Sequence, residues 1–378
     1  MSHIRTILIR TDASTTIGSG HLMRCLTLAE ALKAKGFSIA FASRPFSEQM
    51  MAMITQRGFI LHRLSQPEQS ICSTDAEQEP YQHWLGASLD KDAEETVAIM
   101  QRRSFDALIV DHYAINAEWH RCVRPTVPVI ACIDDIANRP LDCDLLLDQN
   151  LYNHAARRYQ PYVPPSTRLL LGPEFALLRE EFCQKRSFAE QKRAQPLTTI
   201  RRIFVFFGGS DPTNETGKAL QAFGILGKRA LQDCIIDVII GIANPHQASL
   251  ESDCSRLRSC GIDIRVHLQV SNIADFMLEA DFALGAGGST TWERCCLGLP
   301  TLAVIVADNQ ALMTQTAAEH GVQWSAGWHD ALTAEALAAA ILMRLQAPQE
   351  TFAVAQRAMR LVDGNGTKRV VEAILDFT

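Results

Sequence analysis

Short apolar runs alternating with segments of helical spacing constrain this chain more than any other feature. Runs at 4–9, 37–42, 59–62, 105–110, 127–133 and 145–147 recur between stretches such as 22–35, 48–56 and 90–102, whose apolar residues fall three or four apart. A second series follows at 203–207, 234–240, 262–266, 282–284 and 302–306. Buried-type strands separated by helices need crossover connections, so the pattern predicts an α/β chain with doubly wound parallel sheets and helices on both faces. With 378 residues and 47% hydrophobic content, the chain is long enough for two such units, each with its own core. We expect the first over 1–178 and the second over 201–350. The charged, helix-prone 179–200 would connect them, and helices in 351–378 would pack back across the boundary.

Composition narrows the function. A formal net charge of −6 and the lack of a strongly basic block give no electrostatic footprint for nucleic acid. The longest apolar candidate, 297–307, is short and interrupted by Pro300, so no membrane span is expected. The first strand, flanked by Arg5 and Arg10, stands where a signal sequence would be, which points to the cytoplasm. The eleven cysteines are scattered with no Cys-x-x-Cys pair, which argues for reduced thiols and against a zinc site. Asp142 and Asp144 have the spacing that holds a divalent ion in one class of nucleotide-sugar transferase, but that class builds a different, single-domain sheet. No metal, cofactor or protein partner is therefore expected.

The stretch 11–25 is where chemistry is expected. A strand is followed by Gly18-Ser19-Gly20-His21, and helical spacing begins at Leu22, so His21 opens a helix that runs to about Lys35 and stops at Gly36. Gly18 and Gly20 permit a tight turn and close approach of a ligand, and the helix's first N–H groups favour an anion. The same partial charge disfavours imidazolium, so His21 should stay neutral and able to accept a proton. The bland reading is a plain strand-to-helix turn with His21 as a helix-start residue.

Three further strand ends carry carboxylates: Asp111-His112-Tyr113, Asp134-Asp135 and Asp148-Gln149-Asn150. Ligands gather at that edge of open α/β sheets, although Asp111 also suits a cap for the helix near 116–122. The polar segment 65–81 has no clear period and reads as a long loop. In the second half, Asp211 precedes Pro212 as a natural N-cap. Gly285-Ala286-Gly287-Gly288-Ser289-Thr290 repeats the strand–glycine–helix geometry of the first loop and suits a pyrophosphate. Glu293, one turn on, is placed either to accept from a ribose diol or simply to favour the helix dipole. Asp308 reads as a cap that leaves Asn309 for substrate.

These blocks, together with 133–138, 142–150, 172–178, 206–216 and Asn244-Pro245-His246, resemble the UDP-2,4-diacetamido-2,4,6-trideoxy-β-L-altropyranose hydrolases of pseudaminic acid biosynthesis, a family related in fold to the GT-B glycosyltransferases. The resemblance implies two Rossmann-like domains facing across a cleft, with UDP on the C-terminal one. It implies His21 as general base, Glu293 as nucleotide ligand and Asn309 as sugar contact. Further substrate-binding positions are Asp12, Gly18, Gly20, Arg24, Tyr113, Gly209, Ser210, Gly288, Ser289 and Thr290. The implied reaction is inverting C–O cleavage of the UDP-sugar to UDP and 2,4-diacetamido-2,4,6-trideoxy-L-altrose. The segment 65–81 does not align with the family. A GT-B glycosyltransferase using a UDP-sugar donor and a non-catalytic nucleotide-sugar sensor stay open as alternatives.

Overall fold

The computed structural model describes residues 5–14, 16–68 and 81–377. Ile4 of the expected first strand, Thr15 of the glycine loop and 69–80 of the expected long loop lie outside the described residues. The chain divides into two compact units, 1–177 with 365–378, and 178–364.

The first unit runs β1 (Thr6–Thr11), α1 (Gly20–Ala34), β2 (Ser38–Ser43), α2 (Glu48–Gln56), β3 (Ile60–Arg63), α3 (Leu89–Arg102), β4 (Ala107–Asp111), α4 (Ala117–Val123), β5 (Val129–Ile133), β6 (Leu145–Asp148), α5 (Ala155–Tyr159) and β7 (Arg168–Leu171). Among the described residues its strands form one parallel sheet in the order β3-β2-β1-β4-β5-β6-β7. The apolar runs are continuous because both faces are covered. Ile7 and Ile9 of β1 enter one core with α1, while Leu8 between them enters the opposite core with Leu108 and Trp119.

The second unit opens with α6 (Glu180–Lys192), then β8 (Arg202–Phe206), α7 (Glu215–Ala230), β9 (Ile235–Ile240), α8 (Gln247–Ser259), β10 (Asp263–Leu268), α9 (Ile273–Glu279) and β11 (Phe282–Ala286). It continues with α10 (Thr290–Cys296), β12 (Thr301–Ile305), α11 (Asp308–Glu319), β13 (Trp324–Trp328), α12 (Ala334–Gln346) and α13 (Glu350–Leu361). Its sheet, likewise among the described residues, is parallel in the order β10-β9-β8-β11-β12-β13.

The last helix, α14 (Gly366–Leu375), belongs to the first unit, where Val370, Val371 and Ile374 join the core beside α1. Two assignments differ from the sequence expectation. Segment 179–200 is not a bare connection: α6 buries Phe182 and Ala189 within the second unit, and Arg186 donates to the backbone carbonyls of Cys296, Met359 and Val362. Segment 351–378 splits, α13 staying with the second unit and α14 with the first. The edge strands β7 and β13 were not among the expected strands. No helix among the described residues is long and apolar enough to cross a membrane.

Candidate active site

In each unit the two central strands send their chains to opposite sides of the sheet, which opens a crevice at their carboxyl ends. In the first unit these strands are β1 and β4, and the register sets Thr11 beside Asp111. The loop after β1 folds on itself: Gly18 N donates to Ser14 O at 2.8 Å, Ile17 N donates to Ser14 Oγ at 2.9 Å, and Gly18 has φ +81°. Glycine is the residue that adopts such a φ without a Cβ penalty. Helix α1 starts at Gly20, so His21 and Arg24 lie one turn apart on the side facing β4.

There Asp111, fully buried, gathers the cluster. His21 Nδ1 stands 2.6 Å from Asp111 Oδ1. Arg24 grips the same carboxylate as a fork, Nε to Oδ2 at 2.6 Å and Nη2 to Oδ1 at 2.7 Å, and Cys25 Sγ donates to Oδ2 at 3.4 Å. Burial alone would raise the Asp111 pKa, but Arg24 and His21 outweigh it and hold the carboxyl well below the usual carboxylate range. An ionised carboxylate only accepts, so Nδ1 carries the proton of this contact. Arg24 Nη1 also binds Asp135 Oδ2 at 3.0 Å; Asp135 accepts from the Tyr113 hydroxyl and from Asn150 Nδ2. Behind it, burial and the Asp135 charge push Asp148 up to about 8, although Arg158 stands 2.9 Å away.

The structure thus brings His21, Arg24 and Tyr113 together and adds Asp111 and Asp135 as their partners. Asp111 is not the cap of α4, because Asn116 caps it through Glu118 N and Trp119 N. Asp12, expected to bind substrate, is 1% exposed and held by Arg10 at 2.7 Å, Arg44 N at 2.7 Å and Ser43 Oγ. A carboxylate so enclosed fixes the start of the loop from below. The Asp142–Asp144 pair faces Arg124. Among the described residues no group of three or more His, Cys, Asp or Glu is placed to hold a metal ion.

In the second unit the corresponding strands are β8 and β11, with Gly285 beside Phe206. After β8, Gly209 packs against Gly241, where a Cβ would lie 2.3 Å from the Gly209 carbonyl oxygen. Asp211 is not the N-cap of α7. Asn214 holds that place, its side chain accepting from Gly217 N, while Asp211 reaches back from the preceding turn to accept from Glu215 N and Thr216 N. After β11, the chain passes through Gly287, Gly288 and Ser289 into α10. Beneath lies Arg294, 1% exposed, whose hydrogen bonds go to the Ala286 carbonyl at 2.8 Å and to the hydroxyls of Thr290 and Thr291 at 3.1 Å. Those are neutral acceptors, and burial pushes this guanidinium down to about 10. Glu293 Oε1 accepts from Arg179 at 3.0 Å, while its Oε2 is buried without a hydrogen-bond partner among the described residues. Asp308 is also corrected: Ala307 is the cap, and Asp308 is the first helical residue, where a carboxylate favours the helix dipole.

The residues missed in the sequence are Trp84, Tyr81 and Arg179. Tyr81 ends the segment 65–81 that showed no clear period, Trp84 lies just beyond it in residues assigned to no element, and Arg179 was read as part of a connection.

No family model matches the chain. It is 24% identical over 319 residues, 84% of its length and 97% of the relative's, to UDP-2,4-diacetamido-2,4,6-trideoxy-beta-L-altropyranose hydrolase of Campylobacter jejuni. It is 23% identical to the spore coat polysaccharide biosynthesis protein SpsG of Bacillus subtilis over 97% of this chain and 96% of that protein. Among solved structures, Acinetobacter baumannii MurG superposes with a TM-score of 0.64 at 14% identity, covering 98% of this chain and 99% of that one. The calicheamicin glycosyltransferase CalG4 gives 0.63 at 14% identity, covering 99% and 98%. The chain thus has the two-domain α/β fold of the GT-B glycosyltransferases, and in sequence it resembles a UDP-2,4-diacetamido-2,4,6-trideoxy-β-L-altropyranose hydrolase.

Proposed function

We propose that this chain hydrolyses UDP-2,4-diacetamido-2,4,6-trideoxy-β-L-altropyranose to UDP and the free sugar, in the cytoplasm and without a metal ion. The observation that carries the reading is the 2.6 Å contact between His21 Nδ1 and Asp111, which in the neutral imidazole leaves Nε2 as a proton acceptor of fixed tautomer. Water, deprotonated by Nε2, forms the new C–O bond at the anomeric carbon as the bond to the UDP oxygen breaks, with inversion. Asp111 stabilises the imidazolium that results. On the second unit, Gly209, Ser210, Gly288, Ser289 and Thr290 are assigned to the diphosphate and Asn309 to the sugar. Arg294 adds positive charge beneath the diphosphate loop. Glu293, its Oε1 held by Arg179, offers Oε2 to the ribose.

Turnover of this UDP-sugar in oxygen-18 water tests the reading. Label in the sugar and an undiminished rate in excess chelator are expected. Label in UDP would move the attack to phosphorus, and a rate restored only by a divalent ion would overturn metal independence. The glycosyltransferase reading is favoured by the solved structures of MurG and CalG4, matched over almost the whole chain. Strict dependence of UDP release on an acceptor would select it. Binding without any turnover would select a sensor.

A further inference from the structure

Beside His21 the first unit carries an aromatic surface that the proposed chemistry does not use. The Trp84 ring stacks on Tyr113 with centroids 5.5 Å apart and planes 23° from parallel. Tyr81 stands edge-on to both, 4.8 Å from Trp84 and 5.0 Å from Tyr113. His21 meets the edges of the same group, 4.6 Å from Tyr113 and 6.2 Å from Trp84. Tyr113 is buried, whereas Tyr81 and Trp84 are partly exposed.

The mount is firm. Trp84 lies in a short 3-10 turn, Gln82–Leu85, whose Leu85 is fully buried in the core. The following Gly86 has φ +63° and packs so closely on Phe46 that a Cβ would lie 2.6 Å from that ring, and its carbonyl accepts from Glu68 N at 2.9 Å. An aromatic surface this well anchored and still partly open to solvent serves the core only in part.

The polar side of the cluster limits what the surface can face. One guanidinium, Arg24, meets two carboxylates, Asp111 and Asp135, so the surroundings of His21 repel phosphate and suit an uncharged group. Aromatic faces carry negative charge density and attract C–H groups polarised by neighbouring oxygens, while offering nothing to a hydroxyl that loses its water.

We propose that Tyr81 and Trp84 form the sugar-selecting surface of this site, receiving an apolar edge of the substrate, a deoxy methyl or an acetamido methyl, and holding the ring against His21. The assignment rests on the sugar-hydrolysing reading for its consequence in turnover, but the surface can be tested apart from it.

Two measurements on the full chain do so. In the first, the free sugar, 2,4-diacetamido-2,4,6-trideoxyaltrose, is titrated against intrinsic tryptophan fluorescence. The sugar should change the emission of the unaltered protein, and Trp84→Phe should abolish that change while UDP alone has the same effect on both. In the second, Trp84→Ala should raise KM for the UDP-sugar about tenfold, with kcat within about threefold and the inhibition constant for UDP unchanged, and Trp84→Phe should restore most of the loss. A sugar-induced change that survives in Trp84→Phe, an unaltered KM in Trp84→Ala, or an equal loss of UDP affinity would each overturn the proposal. If the unaltered protein turns over no UDP-sugar, the hydrolase reading fails by itself. The fluorescence titration then still decides: a response lost in Trp84→Phe upholds the surface, and no response to the sugar overturns it.

Discussion

The loop after β1 and the loop after β11 read alike in sequence, glycines set between a strand and a helix, yet their glycines answer to different constraints. In the loop after β11 the reason is packing: a Cβ on Gly285 would lie 2.7 Å from Arg294 Nη1, and one on Gly287 would lie 1.9 Å from Thr314 Oγ1. In the first loop a Cβ on Gly18 or Gly20 would meet nothing within 4 Å. Gly18 is explained by its backbone angle, but Gly20 by neither angle nor neighbour. The electrostatics differ as well. Two carboxylates surround the cation at His21, whereas Arg294 lies beneath its loop with neutral acceptors. In the proposed function the first loop serves proton transfer beside an uncharged group, and the other carries positive charge suited to an anion.

The sharpest way to break this contrast is His21→Asn. Positioned base catalysis contributes about 10²–10⁴-fold, so UDP release should fall by that factor while calorimetry finds UDP bound as before. Unchanged turnover would remove His21 from the chemistry. Loss of UDP binding would erase the division of labour between the loops.

Glu293→Ala probes the other side. A hydrogen bond to a charged acceptor is worth about 1.5–3 kcal/mol, so KM should rise about tenfold to 100-fold with kcat nearly unchanged, because a ribose contact is made equally in ground and transition states. A fall in kcat at constant KM would place Glu293 in the reaction instead.

The alternation that sets the fold was legible because both faces of each sheet are buried, which forces unbroken apolar runs such as 107–110. His21 at a helix start was legible too, since Gly18 and Gly20 mark the turn. Its partner was only half so. Asp111 stands ninety residues away in sequence, and only the parallel pairing of β1 with β4 brings it to 2.6 Å. Asp308 was misread as a cap because a motif gives residue type and spacing but not at which residue the backbone enters the helix. Trp84 had no periodicity to reveal it, because a 3-10 turn of four residues is too short to establish one.

Packing gives the next prediction. Gly287→Ala forces a methyl group onto a fully buried threonine, and overpacking of this kind costs about 1–3 kcal/mol. Hydrogen exchange should locate the loss in the second unit, leaving the strands of the first protected. Equal destabilisation of both units would contradict the packing account of that loop.

Acid separates the units in another way. His120 is fully buried in the first, 3.5 Å from Cys132 Sγ and accepting from Asp142 N, and burial, helped by Arg139 and Arg124, pushes it down to about 3. The unfolded residue takes its proton near pH 6.5 and the folded one does not. Stability supplied by the neutral form is therefore present above pH 6.5 and is lost as pH falls toward 3, at about 1.4 kcal/mol per pH unit. Protection of the first unit's amides should weaken over that range. His120→Asn, which keeps an acceptor for Asp142 N, should flatten the slope while lowering stability at neutral pH.

The smallest expected change in stability is the most telling about the first loop. Gly20 begins α1 with an ordinary backbone angle and open space where a Cβ would stand, so Gly20→Ala introduces no clash. Alanine restricts the unfolded chain more than glycine does, and stability should be unchanged or rise by about 0.4–1 kcal/mol. If the space beside Gly20 is where the sugar approaches the backbone next to His21, the methyl group should raise KM even as the thermal midpoint holds or climbs. A loss of turnover without a loss of stability cannot be assigned to misfolding, so it would mark Gly20 as a ligand-facing position. Unaltered kinetics would leave Gly20 without a functional reason and confine the ligand to the aromatic side of His21.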